Sequence, residues 1–365
     1  VGRKRASERE LVDALLAWFA GSARQLPWRA AAAKTRRDPY HVLVSETMLQ
    51  QTQVSRVHEK FPAFVARFPR VADLAAASED AVLAAWTGLG YYRRARMLHA
   101  AAKAIAAEHG GIVPRDVAVL RALPGVGAYT AGAIASIAFG ETEAAVDTNV
   151  ARVLLRVRGK EIGPERERTA WAWEQARAIA TAATPRTGDC NEAMMELGAL
   201  VCRARGPLCG VCPWAKVCVA RATDATERIP PPKQSAARKA ITHVVFAAAG
   251  DAELVPLQQR GAAGLWARLW QQPTLELESD DAPTTARQTM RLARAQGLEV
   301  EGLSGKPAMD FVFATTHRSV RHVVFIAASV RGAGVEQVPR EQALQRGMAS
   351  PQRRVLRELP GSLFA

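Results

Sequence analysis

Two carboxylates and four thiols carry most of the chemistry open to this chain. The thiols are Cys202, Cys209, Cys212 and Cys218, spaced C-x6-C-x2-C-x5-C. Four thiolates so close in sequence can hold one metal centre. Four-cysteine zinc sites more often show two C-x2-C knuckles, and iron–sulfur clusters take the same donors, so spacing alone leaves both open. The fifth cysteine, Cys190, stands apart and reads as a packed core thiol. An odd count with four clustered disfavours a disulfide framework, and a reducing compartment suits the free thiols. Glu46 interrupts an apolar helical stretch, Val42-Leu43-Val44-Ser45-Glu46-Thr47-Met48-Leu49. Burial there raises a carboxyl pKa and lets it deliver a proton near neutral pH, whereas an exposed face makes it merely structural. Asp147 follows Ala144-Ala145-Val146 and precedes a helical pattern, which suits a helix cap that can also face a cleft. Pro124-Gly125-Val126-Gly127 lies between two helical patterns. Its glycines let backbone N–H groups face a phosphate, or simply make a helix–helix turn.

The elements that must position these groups differ between the two halves. Residues 8–220 show apolar spacing of helical period almost throughout, including Val42–Phe64 and Val150–Val157, with breaks at Gly88-Leu89-Gly90, Pro114, Pro124–Gly127 and Gly163-Pro164. The expected organisation is a mainly α part over 1–221, with the cysteine loop at 202–218, and a Pro-rich linker over 222–240. An α+β domain follows over 241–365, with strands at Thr242–Ala248 and Arg321–Ala328 and helices at Thr284–Ala295 and Arg340–Leu356. At 365 residues, 23% charged and 48% hydrophobic, the chain can build two cores. No apolar run is long enough for a membrane span, and no apolar stretch follows the basic Val1-Gly-Arg-Lys-Arg, so a cytoplasmic protein without a membrane partner is expected. The net charge of +14 lies mostly before residue 223 and points to a polyanion, most simply nucleic acid.

Seven segments occur in one order: Leu26-Pro27-Trp28-Arg29, Asp38-Pro39-Tyr40, Ser45–Val54 with Gln50-Gln51-Thr52, Gly88-Leu89-Gly90-Tyr91-Tyr92, Leu123–Gly127, Val146-Asp147-Thr148-Asn149-Val150 and Asn191–Gly198. Together with the cysteine quartet they resemble adenine DNA glycosylases of the MutY type, within the helix-hairpin-helix base-excision superfamily. The resemblance covers residues 8–220 and is fainter from 241 onward. It implies six-helix-barrel and iron–sulfur subdomains, a [4Fe-4S] cluster on the four cysteines, and a MutT/Nudix-like C-terminal domain that reads 8-oxoguanine. The implied partner is double-stranded DNA bearing adenine opposite 8-oxoguanine, bound by a monomer.

By that resemblance, Glu46 protonates a flipped adenine and Asp147 stabilises the oxocarbenium-like sugar, with Tyr129 and Asn149 tuning the pair. Arg24, Leu26, Trp28, Arg29 and Glu192 line the adenine pocket. Gln51, with Gln50, resembles the wedge that fills the vacated stack, and Tyr91 the side chain that intercalates beside the lesion. Thr52 and the Leu89 backbone resemble lesion contacts, and Gly125, Val126 and Gly127 a phosphate-binding hairpin. Endonuclease III-like relatives place a lysine second after the glycine pair; here Ala128-Tyr129 follow, which implies base removal without efficient lyase activity. Where the family usually has Phe-Ser-His this chain has Thr315-Thr316-His317, keeping a hydroxyl but losing the aromatic ring. Only Glu276 and Glu278 lie between Gly264 and Leu298, which disfavours a nucleotide hydrolase. The alternatives are a mismatch glycosylase with another base preference and a catalytically silent DNA-binding protein.

Overall fold

The computed structural model describes residues 6–29, 37–232, 237–278 and 285–359. The basic residues 1–5, linker residues 233–236 and Thr284, the expected start of a helix, lie outside that description. The chain divides into two compact units, Val1–Ala76 with Met97–Gln234, and Ala77–Arg96 with Ser235–Ala365. Residues 77–96 thus group with the second unit, although in sequence they fall inside the helical half.

The first unit is helical: α1 (Glu8–Ser22), α2 (Pro39–Leu49), α3 (Val54–Arg67) and α4 (Val71–Ala76) come before the excursion that contains α5 (Glu79–Ala85). After it come α6 (Arg93–Glu108, whose first turn belongs to the second unit), α7 (Val117–Ala122), α8 (Ala128–Phe139), α9 (Thr148–Arg158), α10 (Glu165–Ala182), α11 (Thr187–Leu200) and α12 (Val219–Ala222). A Ser7–Glu10 capping box starts α1. Its apolar stripe, Leu11, Leu15 and Phe19, packs with Val153, Leu154 and Val157 of α9 and Ala176 and Ile179 of α10. Trp214, from the cysteine loop, completes this core and donates Nε1–H to Leu11 O at 2.9 Å. The apolar repeat over 42–64 is two helices, because the chain turns at Gln50–Gln53 with Gln51 at φ 55°. The expected linker begins as part of this unit: Ala225 and Ile229 are buried beside Leu155 and Ala220.

The second unit is α+β. Its main sheet has the order β4-β1-β7-β6, built from β1 (Lys239–Ala247), β4 (Thr274–Leu277), β6 (Met309–Ala314) and β7 (Arg318–Ile326). The two expected strands are β1 and β7, which pair in parallel with His243 opposite His322. Further strands β2 (Leu254–Gln259), β3 (Trp270–Gln271) and β9 (Val335–Pro339) form a second sheet, and β5 (Leu298–Glu301) and β8 (Ser329–Gly332) a third. The helices are α13 (Ala286–Ala295), α14 (Arg340–Gln345) and α15 (Ser350–Glu358). The single helix expected over Arg340–Leu356 is therefore two. Gly347 O accepts from Trp270 N, Met348 O accepts from the Tyr92 hydroxyl at 2.8 Å, and Pro351 opens α15. Carbonyls committed to those donors leave no continuous helix.

Close backbone approach at α8 fixes the segment before Asp147. A Cβ on Gly132 would lie 2.0 Å from Ala144 O. Gly132→Ala is expected to cost about 1–3 kcal/mol, as overpacking does. The check is the denaturant midpoint of the full chain; an unchanged midpoint means the contact yields freely.

Candidate active site

Helix α2 is buried on nearly every side, which matches its continuous apolar run. Asp38 caps it, accepting from Tyr40 N at 2.7 Å, and Pro39 occupies the first turn. Ser45 and Thr47 return their hydroxyls to the helix, to Val42 O at 3.1 Å and Leu43 O at 2.7 Å. Glu46 is the one carboxyl group among these buried positions, and it is 5% exposed. Its Oε2 accepts a 2.6 Å hydrogen bond from the Tyr129 hydroxyl, presented from the first turn of α8.

Burial pushes the Glu46 carboxyl up to about 7 from its ordinary 4.5. The Tyr129 hydrogen bond opposes that rise, the carboxylates of Glu192 and Asp147 add to it, and Arg29 opposes it. Burial, and the carboxylates of Glu46 and Asp147, push the Tyr129 phenol well above its ordinary value, so it remains a donor. Glu46, Tyr129, Asp147, Glu192 and Arg29 therefore share one electrostatic neighbourhood.

Asp147 has the opposite environment. It caps α9, with Oδ1 accepting from Val150 N at 2.7 Å and Oδ2 from Asn149 Nδ2 at 2.7 Å. Donors at a helix N-terminus stabilise a carboxylate. Arg152, one turn on, donates to Asn149 Oδ1 at 2.9 Å and ties it to Gly198 O at 2.8 Å and Cys202 O at 2.9 Å. The extended stretch before Asp147 is pinned by Asn191, which accepts from Ala145 N at 3.3 Å and donates to Glu143 O at 2.8 Å.

A charge network closes the neighbouring wall. Arg29 donates to Glu192 Oε1 at 3.1 Å and to Glu196 Oε2 at 3.2 Å, and Arg37 also meets Glu192. Arg24 is taken up by Glu196, through 2.7 and 2.8 Å contacts to its two oxygens. Burial acts to raise Glu196, but the hydrogen bonds and charges of Arg24 and Arg29 outweigh it and hold it low. Leu26 and Trp28 are buried, Trp28 edge-on to Phe61 at 5.7 Å. Arg37, Glu196, Arg152 and Asn191 have no role assigned in the sequence reading. Glu196 had a signal, since it follows Glu192 by four residues on one helix face.

The other expected residues are separately placed. Gln50 Nε2 lies 3.5 Å from Thr130 Oγ1, and Thr52 closes the turn after α2 through its N–H to Leu49 O. Gly125, at φ 75°, and Val126 shape the α7–α8 turn, and Gly127 starts α8 with no side-chain cap. In the second unit, Leu89 is buried with its carbonyl accepting from Arg94 Nη2 at 3.1 Å, while Tyr91 is 41% exposed. The Tyr91 hydroxyl meets the Thr316 hydroxyl. Thr316 and His317 are exposed at the β6–β7 turn, which Thr315 holds through Arg318 N and O at 3.0 and 3.1 Å. Glu276 and Glu278 are each paired with a cation, Arg260 at 2.8 Å and Lys239 at 3.0 Å.

All four clustered cysteines are free thiols of intermediate burial. Among the described residues, no group of three or more His, Cys, Asp or Glu is arranged to hold a metal ion. The four sulfurs are nonetheless near enough to act on one another: burial pushes Cys212 up to about 11, and charge on Cys202, Cys218 and Cys209 adds to the rise. Backbone N–H groups of Trp214 and of Arg221 and Ala220 point at the sulfurs of Cys212 and Cys218.

Residues 44–175 match the model of the HhH-GPD superfamily base excision DNA repair proteins. That segment thus carries an HhH-GPD domain. It is 47% identical over 214 residues to the adenine DNA glycosylase of Homo sapiens, a match covering 57% of this chain and 38% of that protein. It is 45% identical over 202 residues to the adenine DNA glycosylase of Mycolicibacterium smegmatis, covering 54% and 66%. The chain thus spans well under half the length of the human relative it matches. A thermostable thymine-DNA glycosylase structure superposes with TM-score 0.51 at 28% identity, over 59% of this chain and 97% of that one. The helical part therefore has the HhH-GPD fold, joined to an α+β region.

Ionisation of Glu46 should be visible in stability. Its folded pKa lies above its unfolded one, so its contribution is full below about 4.5 and is lost as pH rises through about 7. Glu46→Gln cannot ionise and should escape about 2–3 kcal/mol of destabilisation between pH 5 and pH 8. Urea unfolding of both proteins at each pH tests this, and parallel pH dependences count against a raised Glu46.

Proposed function

We propose that this HhH-GPD protein is a monofunctional adenine DNA glycosylase of the MutY type. It removes adenine mispaired with 8-oxoguanine, and with guanine, from duplex DNA. The observation that carries the reading is the opposed environment of two carboxylates in one site: Glu46 raised to about 7 under Tyr129, and Asp147 held by helix-terminal donors. A raised acid beside a carboxylate held by N–H donors is the arrangement that breaks glycosidic bonds.

In this mechanism the target adenine leaves the stack and enters the space beside Glu46. Protonated Glu46 delivers its proton to the purine, making it a better leaving group. As the N-glycosidic bond breaks, the sugar develops positive charge, which Asp147 stabilises directly or by forming a covalent intermediate. Water completes hydrolysis. Tyr129 holds the Glu46 proton in place, and Asn149 keeps Asp147 oriented. Arg29, Glu192, Leu26 and Trp28 form the base-facing wall, with Arg24 supporting it through Glu196. Gln50 and Gln51 fill the vacated stack, and the Gly125–Gly127 turn takes backbone phosphate on N–H groups other than that of Val126, which donates to Leu123 O.

The second unit is proposed to be the MutT/Nudix-like reader of the opposite base, using Tyr91 and the Leu89 backbone with Thr316 and His317. Glu276 and Glu278 serve as partners of Arg260 and Lys239, which suits a reader better than a hydrolase. The cysteine quartet fits a [4Fe-4S] cluster by its donor chemistry, four free thiols under inward-facing N–H groups. Bound there, the cluster supplies a cross-link that orders the loop bearing Arg203, Arg205 and Lys216. The acting species is proposed to be a monomer in the cytoplasm.

Single-turnover excision on duplexes carrying adenine opposite 8-oxoguanine, guanine and thymine tests the assignment. The 8-oxoguanine duplex should be fastest and the thymine duplex slowest; equal rates reject lesion-directed repair. Glu46→Gln should bind the lesion duplex like the parent yet lose at least about a hundredfold in rate, the usual scale of general acid catalysis.

The rate should fall as pH rises past about 7, because ionised Glu46 has no proton to give. Tyr129→Phe removes the hydrogen bond that lowers Glu46, so its descending limb should move to higher pH. A limb that stays in place separates Tyr129 from the acid. Borohydride treatment during turnover should leave no stoichiometric protein–DNA adduct, since Tyr129 stands where a Schiff-base lysine is needed.

A further inference from the structure

Arg156 is a buried cation held by carbonyl groups. It lies in the last turn of α9 and is 2% exposed. Among the described residues no carboxylate forms an ion pair with it. Its neighbour two residues on, Arg158, pairs with Glu8 at 2.7 Å, and Arg29 pairs with Glu192 and Glu196. Arg156 meets carbonyls instead: Nε to Ile229 O at 2.7 Å, Nη1 to Arg203 O at 2.6 Å and Nη2 to Ala204 O at 3.0 Å. The remaining contact of Nη1 is Cys202 Sγ at 3.5 Å, and the Arg156 peptide oxygen accepts from Cys218 Sγ at 3.4 Å.

Three carbonyl dipoles satisfy the donors but do not neutralise the charge, and an uncompensated buried charge is costly. Of the groups that Arg156 touches, those that can become anionic are the sulfurs of Cys202 and Cys218, once a metal centre takes their protons. We propose that Arg156 is the built-in counter-charge of the cysteine-held cluster, and that it sets the cluster's retention and reduction potential. This rests on the iron–sulfur reading above. A fixed positive charge and an N–H···S contact at one ligand favour the more reduced, more negative state of the centre. They also hold the Cys202 ligand against loss. The carbonyl contacts keep the guanidinium at the sulfur by anchoring it to both the cysteine loop and the segment leaving it.

The experiment uses the full chain purified without oxygen, with iron and sulfide assayed per chain. Arg156→Met removes the charge at similar volume, and Arg156→Lys retains it. Arg156→Met is expected to lower the reduction potential measured by voltammetry and to release iron in air about tenfold faster, the scale of losing one charged hydrogen bond. Arg156→Lys is expected to lie near the parent in potential. Voltammetry reports only molecules that hold a cluster, so partial misfolding of Arg156→Met does not mask the result. Unchanged potential and release in Arg156→Met overturn the proposal. So does equal, rapid iron loss from both variants at the parental potential, which assigns Arg156 to loop anchoring alone. A parent chain that takes up no iron overturns the cluster reading itself, an outcome distinct from both.

Discussion

The hydrogen bond from Tyr129 to Glu46 is the contact on which the rest of the site depends. A carboxyl buried in a helix that is covered on nearly every side is costly when charged, and its simplest response is to stay protonated. Protonation alone leaves the proton's position undefined. The phenol at 2.6 Å fixes one oxygen as acceptor and so leaves the other to carry the proton outward. It also limits how far burial can raise the acid. Helix α8 must then present Tyr129 from its first turn, which requires the short Leu123–Gly127 turn and close packing of α8 through Gly132.

Asp147 solves the opposite problem by the opposite means. Its charge is matched by donors that belong to the chain's own geometry: the start of α9 and the side chain of Asn149. Arg152 extends that support through Asn149 to Gly198 and Cys202, so the carboxylate and the cysteine loop share a mechanical connection. The absence of a side chain at Gly198 permits this, since a Cβ there would lie 2.6 Å from Asn149 Cβ. Two side chains, Asn149 and Arg152, thus link Asp147 to the start of the cysteine loop.

Residue type and local period made the main features of both units legible. The helical half, strands β1 and β7 and Glu46 announce themselves through apolar repeats or through a residue out of place, Asp147 through its position before a helix, and Ala128-Tyr129 only through the family resemblance. What escaped was long-range or short. Strand β6 alternates intermediate and exposed positions, so it lacks the apolar signal that marks β7. The break between α14 and α15 depends on Trp270 and Tyr92 donating to residues 347 and 348 from far along the chain. The pairing of Arg24 with Glu196 is invisible for the same reason, since 172 residues separate them. Grouping of residues 77–96 with the second unit likewise depends on distant partners, such as Asp80 with Gly347 and Arg96 with Ala267.

Helix α9 brings these separate solutions into one element. Its N-terminal end carries an anion, Asp147, against the partial positive charge of free N–H groups. Its last turn carries Arg156 and Arg158, cations against the partial negative charge of free carbonyls. The two arginines then diverge, because Arg158 has Glu8 while Arg156 has only carbonyls and sulfur. A helix dipole contributes well under the cost of burying a whole charge. One helix of eleven residues thus orients Asp147 at one end and holds a buried guanidinium against carbonyls and a cysteine sulfur at the other.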